Sequence, residues 1–381
     1  MSENTSVNLQ RPLAGVRRVV VKVGSAVIAA GGHLQPERLA ALAQDVHALR
    51  AAGYEVVMVV SGAVAAGYRA LGCAKPPAEV VERQAAASIG QHRLMAMLDD
   101  AFSVHGIAVA QLLMSADDFE NRRRFLSAKH TFHMLLGRGA VPVVNENDAL
   151  SDDEIKVGDN DHLAALVTSV VSADLLIILS RVAGLYANGN GQVISDVHFG
   201  ADLAEHIQST LTESGVGGMT AKVSAARLAS RWNTPTIIAD GTVPGMLPRV
   251  VAGEPVGTLF HPHGNPLNAR KRWIAVRSRS RGAIRVDAGA QAAILEREAS
   301  LLPSGVRAVD GDFAIGSRVE IQTEHGETFA VGLVSYPSAD IRRIAGRRAA
   351  DIAAALGYVY TDEIIHRDDL VVLSGARKAS A

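Results

Sequence analysis

Short, unbroken apolar runs alternate with longer amphipathic ones over the first two-thirds of the chain. The runs at 18–23 (RVVVKV), 55–60 (EVVMVV), 107–113, 140–144 and 174–179 (DLLIIL) are short and mostly rich in branched side chains. Each predicts a strand buried on both faces. Between them, apolar positions recur at helical spacing over 35–52, 81–105, 121–136 and 161–172. A further helix is expected over 220–232, followed by a strand at 236–239. Such a β-α-β-α order builds a mostly parallel sheet with helices on both faces. Ligands of such sheets sit beyond the carboxyl ends of the strands. The polar and glycine-rich pieces fall at those ends: GSAV after the first strand, SGAVAAG after the second and NEND after the fourth.

The pattern changes after about Gly253. The stretch GEPVGTLFHPHGNPLNARKRW is dense in Gly, Pro, His and Asn and reads as a connector. Beyond it, short alternating strands at 284–287, 318–321 and 328–334, with one helix over 288–297, predict a small β-rich domain, a barrel or half-barrel. The expected organisation is a first domain over 1–260, a linker over 261–280 and a second domain over 281–381, with no internal repeat.

Composition narrows the class. A chain of 381 residues exceeds the usual single domain. Its 48% apolar share with only 4% aromatic residues means a core of Ala, Val, Leu and Ile. With 38 basic and 39 acidic residues, no whole-chain attraction to nucleic acid or membrane is expected. The single cysteine, Cys73, rules out an internal disulfide framework and fits a reducing compartment. No secretory h-region is readable at the N-terminus, and no run approaches the roughly 20 apolar residues of a membrane span. A soluble cytoplasmic protein is the expectation.

Candidate chemistry gathers at the strand ends. NENDALSDDEIKVGDND, over 145–161, holds seven carboxylates and one lysine in seventeen residues. So many acids are not buried unpaired, because an ionised carboxylate without a partner is costly in a low-dielectric interior. The segment is either a solvated acidic loop or a surround for something cationic; its interleaved Asn145, Asn147, Gly158 and Asn160 favour a site. Lys22 stands alone inside an apolar strand before Gly24 and Ser25. It either snorkels to water or faces a phosphate beside free backbone N–H groups. Ser61 opens the next helix, as a plain N-cap or as a ligand to an anion. Gly215-Val216-Gly217-Gly218-Met219-Thr220-Ala221-Lys222 runs into a helix and reads as a flexible loop or as a triphosphate cradle. It is not a P-loop, since the lysine lies four residues past the last glycine. Two lysines, two glycine turns and an acidic cluster on one sheet edge suggest phosphoryl transfer, in which the protein positions reactants and neutralises charge. No zinc spacing, HExxH, GxSxG or strand-linked GxGxxG supports a hydrolase or dehydrogenase.

VVKVGSAVI, VVSGAVAAG, VPVVNENDA, EIKVGDNDHLAAL, GLYAN and GVGGMTAK, in this order and spacing, resemble the amino acid kinase family, and within it the glutamate 5-kinases. The tail, GTLFHPHGNPLNARKRWIAV through RRIAGRRAADIAAALGY, resembles a PUA domain. The resemblance implies a three-layer α/β/α sandwich with a small C-terminal barrel-like PUA domain. It implies ATP-dependent phosphorylation of the γ-carboxylate of L-glutamate, with Mg²⁺, as the first step of proline biosynthesis. Proline as inhibitor and a homo-oligomer, dimer or tetramer, are implied with it. By the same carry-over, Lys22 and Lys222 stabilise the transferring phosphoryl group. Ser61, Asp148 and Asn160 bind glutamate, with Asp159 and Asp161 close by. Asp148 takes the ammonium and the Asn160 amide reads a carboxylate. Nucleotide contacts fall on Lys22, Gly24, Ser180, Arg181 and the loop from Val216 through Gly217, Gly218, Met219, Thr220 and Ala221 to Lys222.

Two departures sit on the nucleotide side: Ser180-Arg181 replaces the family's Thr-Asp, and Val216 replaces a threonine. The loop ANGNGQVISDV after Tyr186 is also shortened. Arg181 reaching a phosphate or the adenine edge would compensate. Residues 270–285 hold seven Arg or Lys and no acid, a stripe that reads as a solvated or regulatory surface or as an RNA grip. The competing function is a catalytically weakened glutamate or proline sensor, or an RNA-binding protein using the PUA domain.

Overall fold

The computed structural model describes the chain apart from residues 1–10, 12, 14, 151–159, 188–190, 205, 207–217, 263–279 and 374–381. It falls into two compact units, Met1–Asp117 with Thr131–Gly264, and Asp118–His130 with Asn265–Ala381.

In the first unit the strands of the main sheet and the main helices run, in chain order, β1 (Arg18–Val23), α1 (Pro36–Ala51), β2 (Glu55–Val60), α2 (Val80–Ser103), β3 (Val109–Met114), α3 (Arg122–Gly137), β4 (Val141–Glu146), α4 (Asn160–Val171), β5 (Leu175–Ser180), β6 (Asp196–Val197), α5 (Met219–Arg231), β7 (Thr236–Asp240), α6 (Met246–Val251) and β8 (Thr258–Phe260). α3 begins among residues of the second unit. They form one eight-stranded sheet in the order β3-β4-β2-β1-β5-β7-β8-β6. From β3 to β7 every pairing is parallel; β8 runs antiparallel to β7, and β6 pairs parallel with β8.

β1 lies at the centre because its valines are shielded on both faces. Val19, Val21 and Val23 join the core formed with Leu39 and Leu42 of α1 and Leu94 and Leu98 of α2. Side chains alternate along a strand. Val20 and Lys22 therefore face the opposite layer, where α4 and α5 pack. The carboxyl ends are level: Val23 pairs with Val60 on one side and Leu179 on the other, and Val59 with Val144. That common edge carries Gly24, Ser61, Asn145 and Ser180.

All six expected strands of this unit are present within two residues of their expected ends. β6 and β8 are additions, the latter lying inside the stretch read as a connector. Two- and three-residue strands are too short to show alternation, and both owe their strand geometry to pairing with each other and with β7.

The second unit has β9 (Ala283–Val286), α7 (Ala288–Arg297), β10 (Val306–Asp310), β11 (Arg318–Gln322), β12 (Thr328–Leu333), α8 (Ser338–Ile344) and β13 (Leu370–Val372). Its five-stranded sheet runs β10-β9-β11-β12-β13, leaving β10 and β13 as edges among the described residues. One face encloses its own core of Ile284, Val319, Ile321, Phe329, Tyr336 and Ile365.

Candidate active site

A buried charge cluster occupies the α4–α5 side of the sheet edge. Lys22, from β1, places Nζ 2.6 Å from Oδ1 of Asp161, and Lys222, from α5, places Nζ 3.1 Å from Oδ2. The side chains of Lys22, Lys222 and Asp161 are 5, 10 and 0% exposed. Asp161 is the second residue of α4, where the positive end of the helix dipole also favours a carboxylate. Lys222 is the fourth residue of α5. One carboxylate thus bridges two ammonium groups from different elements. Asp161, expected beside the substrate, serves the two lysines.

Gly24 is extended (φ −70°, ψ 147°), so no left-handed turn requires a glycine there. Its N–H donates to Leu179 O at 3.3 Å. A Cβ on it would stand 3.8 Å from Lys22 Nζ. The missing side chain leaves room beside the ammonium.

Next to the charges lies a chain of neutral amides. Asn145 Nδ2 donates to Gln91 Oε1 at 2.8 Å, and Asn145 Oδ1 accepts from the Glu146 N–H at 2.9 Å. Asn160 Nδ2 donates to Asn145 Oδ1 and to Ser61 Oγ, each at 2.8 Å. Both hydrogens of the Asn160 amide are therefore used. The expectation that this amide reads a carboxylate is reversed: what remains is Oδ1, an acceptor, buried without a donor among the described residues. Ser61 is not an N-cap either. The cap of the short helix Ala63–Gly67 is Gly62, whose φ of 132° suits only glycine, and Ser61 Oγ takes the Asn160 proton instead.

Two glycines bring Gln91 within reach. A Cβ on Gly90 would lie 1.7 Å from Ala63 O, and one on Gly67 1.9 Å from Ala86 O. Backbone meets backbone where α2 crosses the helix Ala63–Gly67, so only glycines fit, and Gln91 follows directly. Asp148, half-buried, has its carboxyl raised above the ordinary value by burial, with the Arg83 charge pulling the other way.

On the remaining flank, Ser180 ends β5 with its carbonyl accepting from Gly241 N–H at 2.8 Å. Arg181 is exposed. Gly218 caps α5, Met219 is buried as its first residue, Ala221 is half-buried and Thr220 exposed. Asp159, Val216 and Gly217 lie outside the described residues. No cluster of three or more His, Cys, Asp or Glu able to hold a metal occurs among the described residues. A magnesium ion bound to nucleotide phosphates keeps several waters and needs few protein ligands.

The amino acid kinase family model matches residues 17–240, and the PUA domain model residues 282–356. The chain is 47% identical over 373 residues to a glutamate 5-kinase of Myxococcus xanthus, covering 95% of this chain and 97% of that one. It is 45% identical to the glutamate 5-kinase of Syntrophotalea carbinolica over 94% of this chain and 98% of that one. The figure for the Thermus thermophilus enzyme is 43%, over 95% and 99%. The chain belongs to the amino acid kinase family.

In this kinase, Asn145 and Gln91 join the hydrogen-bond chain to Asn160 and Ser61, and sequence reasoning assigned a role to neither. Asn145, in the NEND motif, is among the interleaved residues that favour a site there, without a role of its own. Gln91 left no signal at all: a single glutamine between Gly90 and His92 on a long helix reads as surface. Only the glycine crossing reveals where it points.

Proposed function

We propose that this kinase transfers the γ-phosphoryl group of MgATP to the γ-carboxylate of L-glutamate, giving L-glutamyl 5-phosphate. The observation that carries the reading is the pair of lysines held by the two oxygens of Asp161. A γ-carboxylate is ionised at neutral pH, so the nucleophile needs no general base. What the reaction lacks is compensation for two anions brought together. Each ammonium has three N–H donors, so one stays on Asp161 while others turn to phosphoryl oxygens. Asp161 keeps two like charges within one small volume, where otherwise they would repel. Beside them, Asp148 and Asn160 Oδ1 offer acceptors to an α-ammonium, and the Ser61 hydroxyl retains its hydrogen for a carboxylate.

The proposal includes the division into a kinase domain over 1–260, a linker over 261–280 and a PUA domain over 281–381. It places the enzyme in the cytoplasm as a homo-oligomer at the first step of proline biosynthesis, with proline as feedback inhibitor. No helix among the described residues is long and apolar enough to cross a membrane. The test is coupled ADP release: L-glutamate supports it, and L-aspartate and N-acetylglutamate do not. ADP release indifferent to L-glutamate sinks the reading.

A further inference from the structure

The chain of amides has a direction, and one backbone group sets it. A main-chain N–H is always a donor, so the Asn145 atom that meets the Glu146 N–H at 2.9 Å is Oδ1. The other end of Asn145 is then Nδ2, and the Gln91 atom 2.8 Å away is Oε1. Likewise the Asn160 atom 2.8 Å from Asn145 Oδ1 is Nδ2, which also reaches Ser61. No amide in the chain turns over without breaking a bond to its neighbour. Asn160 Oδ1 is thereby an acceptor, the right polarity for an ammonium group.

We propose that Gln91 is a positioning residue for substrate recognition. Its Oε1 occupies the Asn145 Nδ2 donor, and so holds Asn160 with Oδ1 turned to the α-ammonium of the amino acid substrate. This rests on the glutamate reading above. Without that acceptor, Asn145 Nδ2 is a buried donor with no partner, and its side chain rotates to find one, carrying Asn160 with it. Gln91 is nine-tenths buried, so solvent does not replace the lost oxygen. Its Nε2 is buried without an acceptor among the described residues. Space filling alone therefore does not explain a glutamine, because methionine has the same shape and no donor to strand.

The test compares Gln91→Met, which removes the acceptor, with Gln91→Glu, which keeps it and discards Nε2. Steady-state kinetics are run in L-glutamate and MgATP, together with inhibition by glutarate, which has both carboxylates and no ammonium. Gln91→Met is expected to raise KM for L-glutamate about tenfold, with kcat, KM for MgATP and the glutarate inhibition constant each within about twofold. Gln91→Glu keeps the acceptor, so its KM for L-glutamate is expected to stay within about threefold of the parent, while its unpartnered carboxylate lowers the melting temperature. Equal weakening of glutamate and glutarate overturns the proposal, as does an unchanged KM in Gln91→Met. Equal loss in Gln91→Glu overturns it too, by moving the role to Nε2. Should Gln91→Met melt below assay temperature, Gln91→Leu carries the same expectations. A parent enzyme inactive on L-glutamate refutes the functional reading; an active parent with a silent Gln91→Met refutes only the role of Gln91.

Discussion

The sheet edge of the kinase unit and the strand surface of the C-terminal unit treat charge in opposite ways. In the first, Lys22, Lys222 and Asp161 are nearly sealed from solvent, two ammonium groups sharing one carboxylate. In the second, Arg285 pairs with Asp310, Arg307 with Asp287 and Arg342 with Asp312, and every one of these pairs keeps contact with water. Burying charge rarely improves stability over an apolar replacement, because desolvation offsets the attraction. A fold that buries three charges at a sheet edge does so for chemistry. Exposed pairs contribute little to anything but solubility and surface potential. The difference separates a working site from an ordinary surface, and substitutions in each unit test it.

Asp161→Asn has the largest expected effect. It keeps the volume but removes the negative charge that two buried ammonium groups face, which costs about 3–5 kcal/mol of unfolding free energy. Denaturant melts measure that loss. Turnover falls by roughly a thousandfold in the same variant, since neither lysine is held in place. A stability change below about 1 kcal/mol, the size seen for exposed pairs, breaks the contrast between the units.

Lys222→Ala follows. Loss of one positioned donor to the transferring phosphoryl group costs on the order of 10²–10³ in kcat. Glutamate binding, read by calorimetry with MgATP absent, stays close to the parent value because the amide chain is untouched. Turnover that survives the substitution removes Lys222 from its assigned role.

How much of this was legible in the sequence depends on the kind of signal. Branched apolar runs carry their own evidence, so the main strands were found almost to the residue, β1 and β2 without error. Lys22 was visible because a cation inside RVVVKV breaks the pattern. The partnership of Lys22, Asp161 and Lys222 was not, since three residues on three elements meet only after the sheet is assembled. β6 and β8 were hidden for a similar reason: pairing makes them strands, and pairing leaves no local period. The two ion pairs of Asp161 were not legible either, because a run of acids does not show which one is buried. The polarity of Asn160 required its partners, and Gln91 required two glycines far from the motif.

Gly90→Ala tests that last dependence. The added Cβ would fall 1.7 Å from a main-chain oxygen, which no side-chain rotation relieves. Overpacking of this kind costs about 1–3 kcal/mol. The displaced helix Ala63–Gly67 carries Ser61 with it, so KM for L-glutamate rises while KM for MgATP holds. A variant as stable as the parent would mean the crossing has slack that the geometry denies.

Asp148 gives a smaller effect, seen in pH. Burial raises its carboxyl above the ordinary value, so its protonated form appears at a higher pH than in the unfolded chain. The sign follows for both observables. Protonation is favoured in the folded state, so acidification through the native value adds stability on account of this group. It also removes the negative charge that meets the α-ammonium, so KM for L-glutamate climbs over the same interval. Asp148→Asn is expected to raise KM and flatten that rise; a profile identical to the parent assigns the titration to another group.

The smallest effect belongs to the other arm of the comparison. Arg285 lies in the described end of the basic stretch 270–285, and its guanidinium is 3.0 Å from Asp310. Both side chains are substantially exposed, so Arg285→Ala changes stability by no more than about 1 kcal/mol and leaves kinase kinetics alone. The same variant tests the RNA reading of this surface. A side chain that neutralises a phosphate releases a counterion, so its removal lowers the salt slope of RNA binding by about one. Arg285 already faces an acid within its own sheet, and a phosphate would have to displace that partner. Titration of a single-stranded RNA across a salt series is therefore expected to show weak binding whose slope the variant does not alter. A slope that drops by one unit would convert this arginine from surface charge into a nucleic-acid contact, and the contrast between the two units would then be one between two working sites.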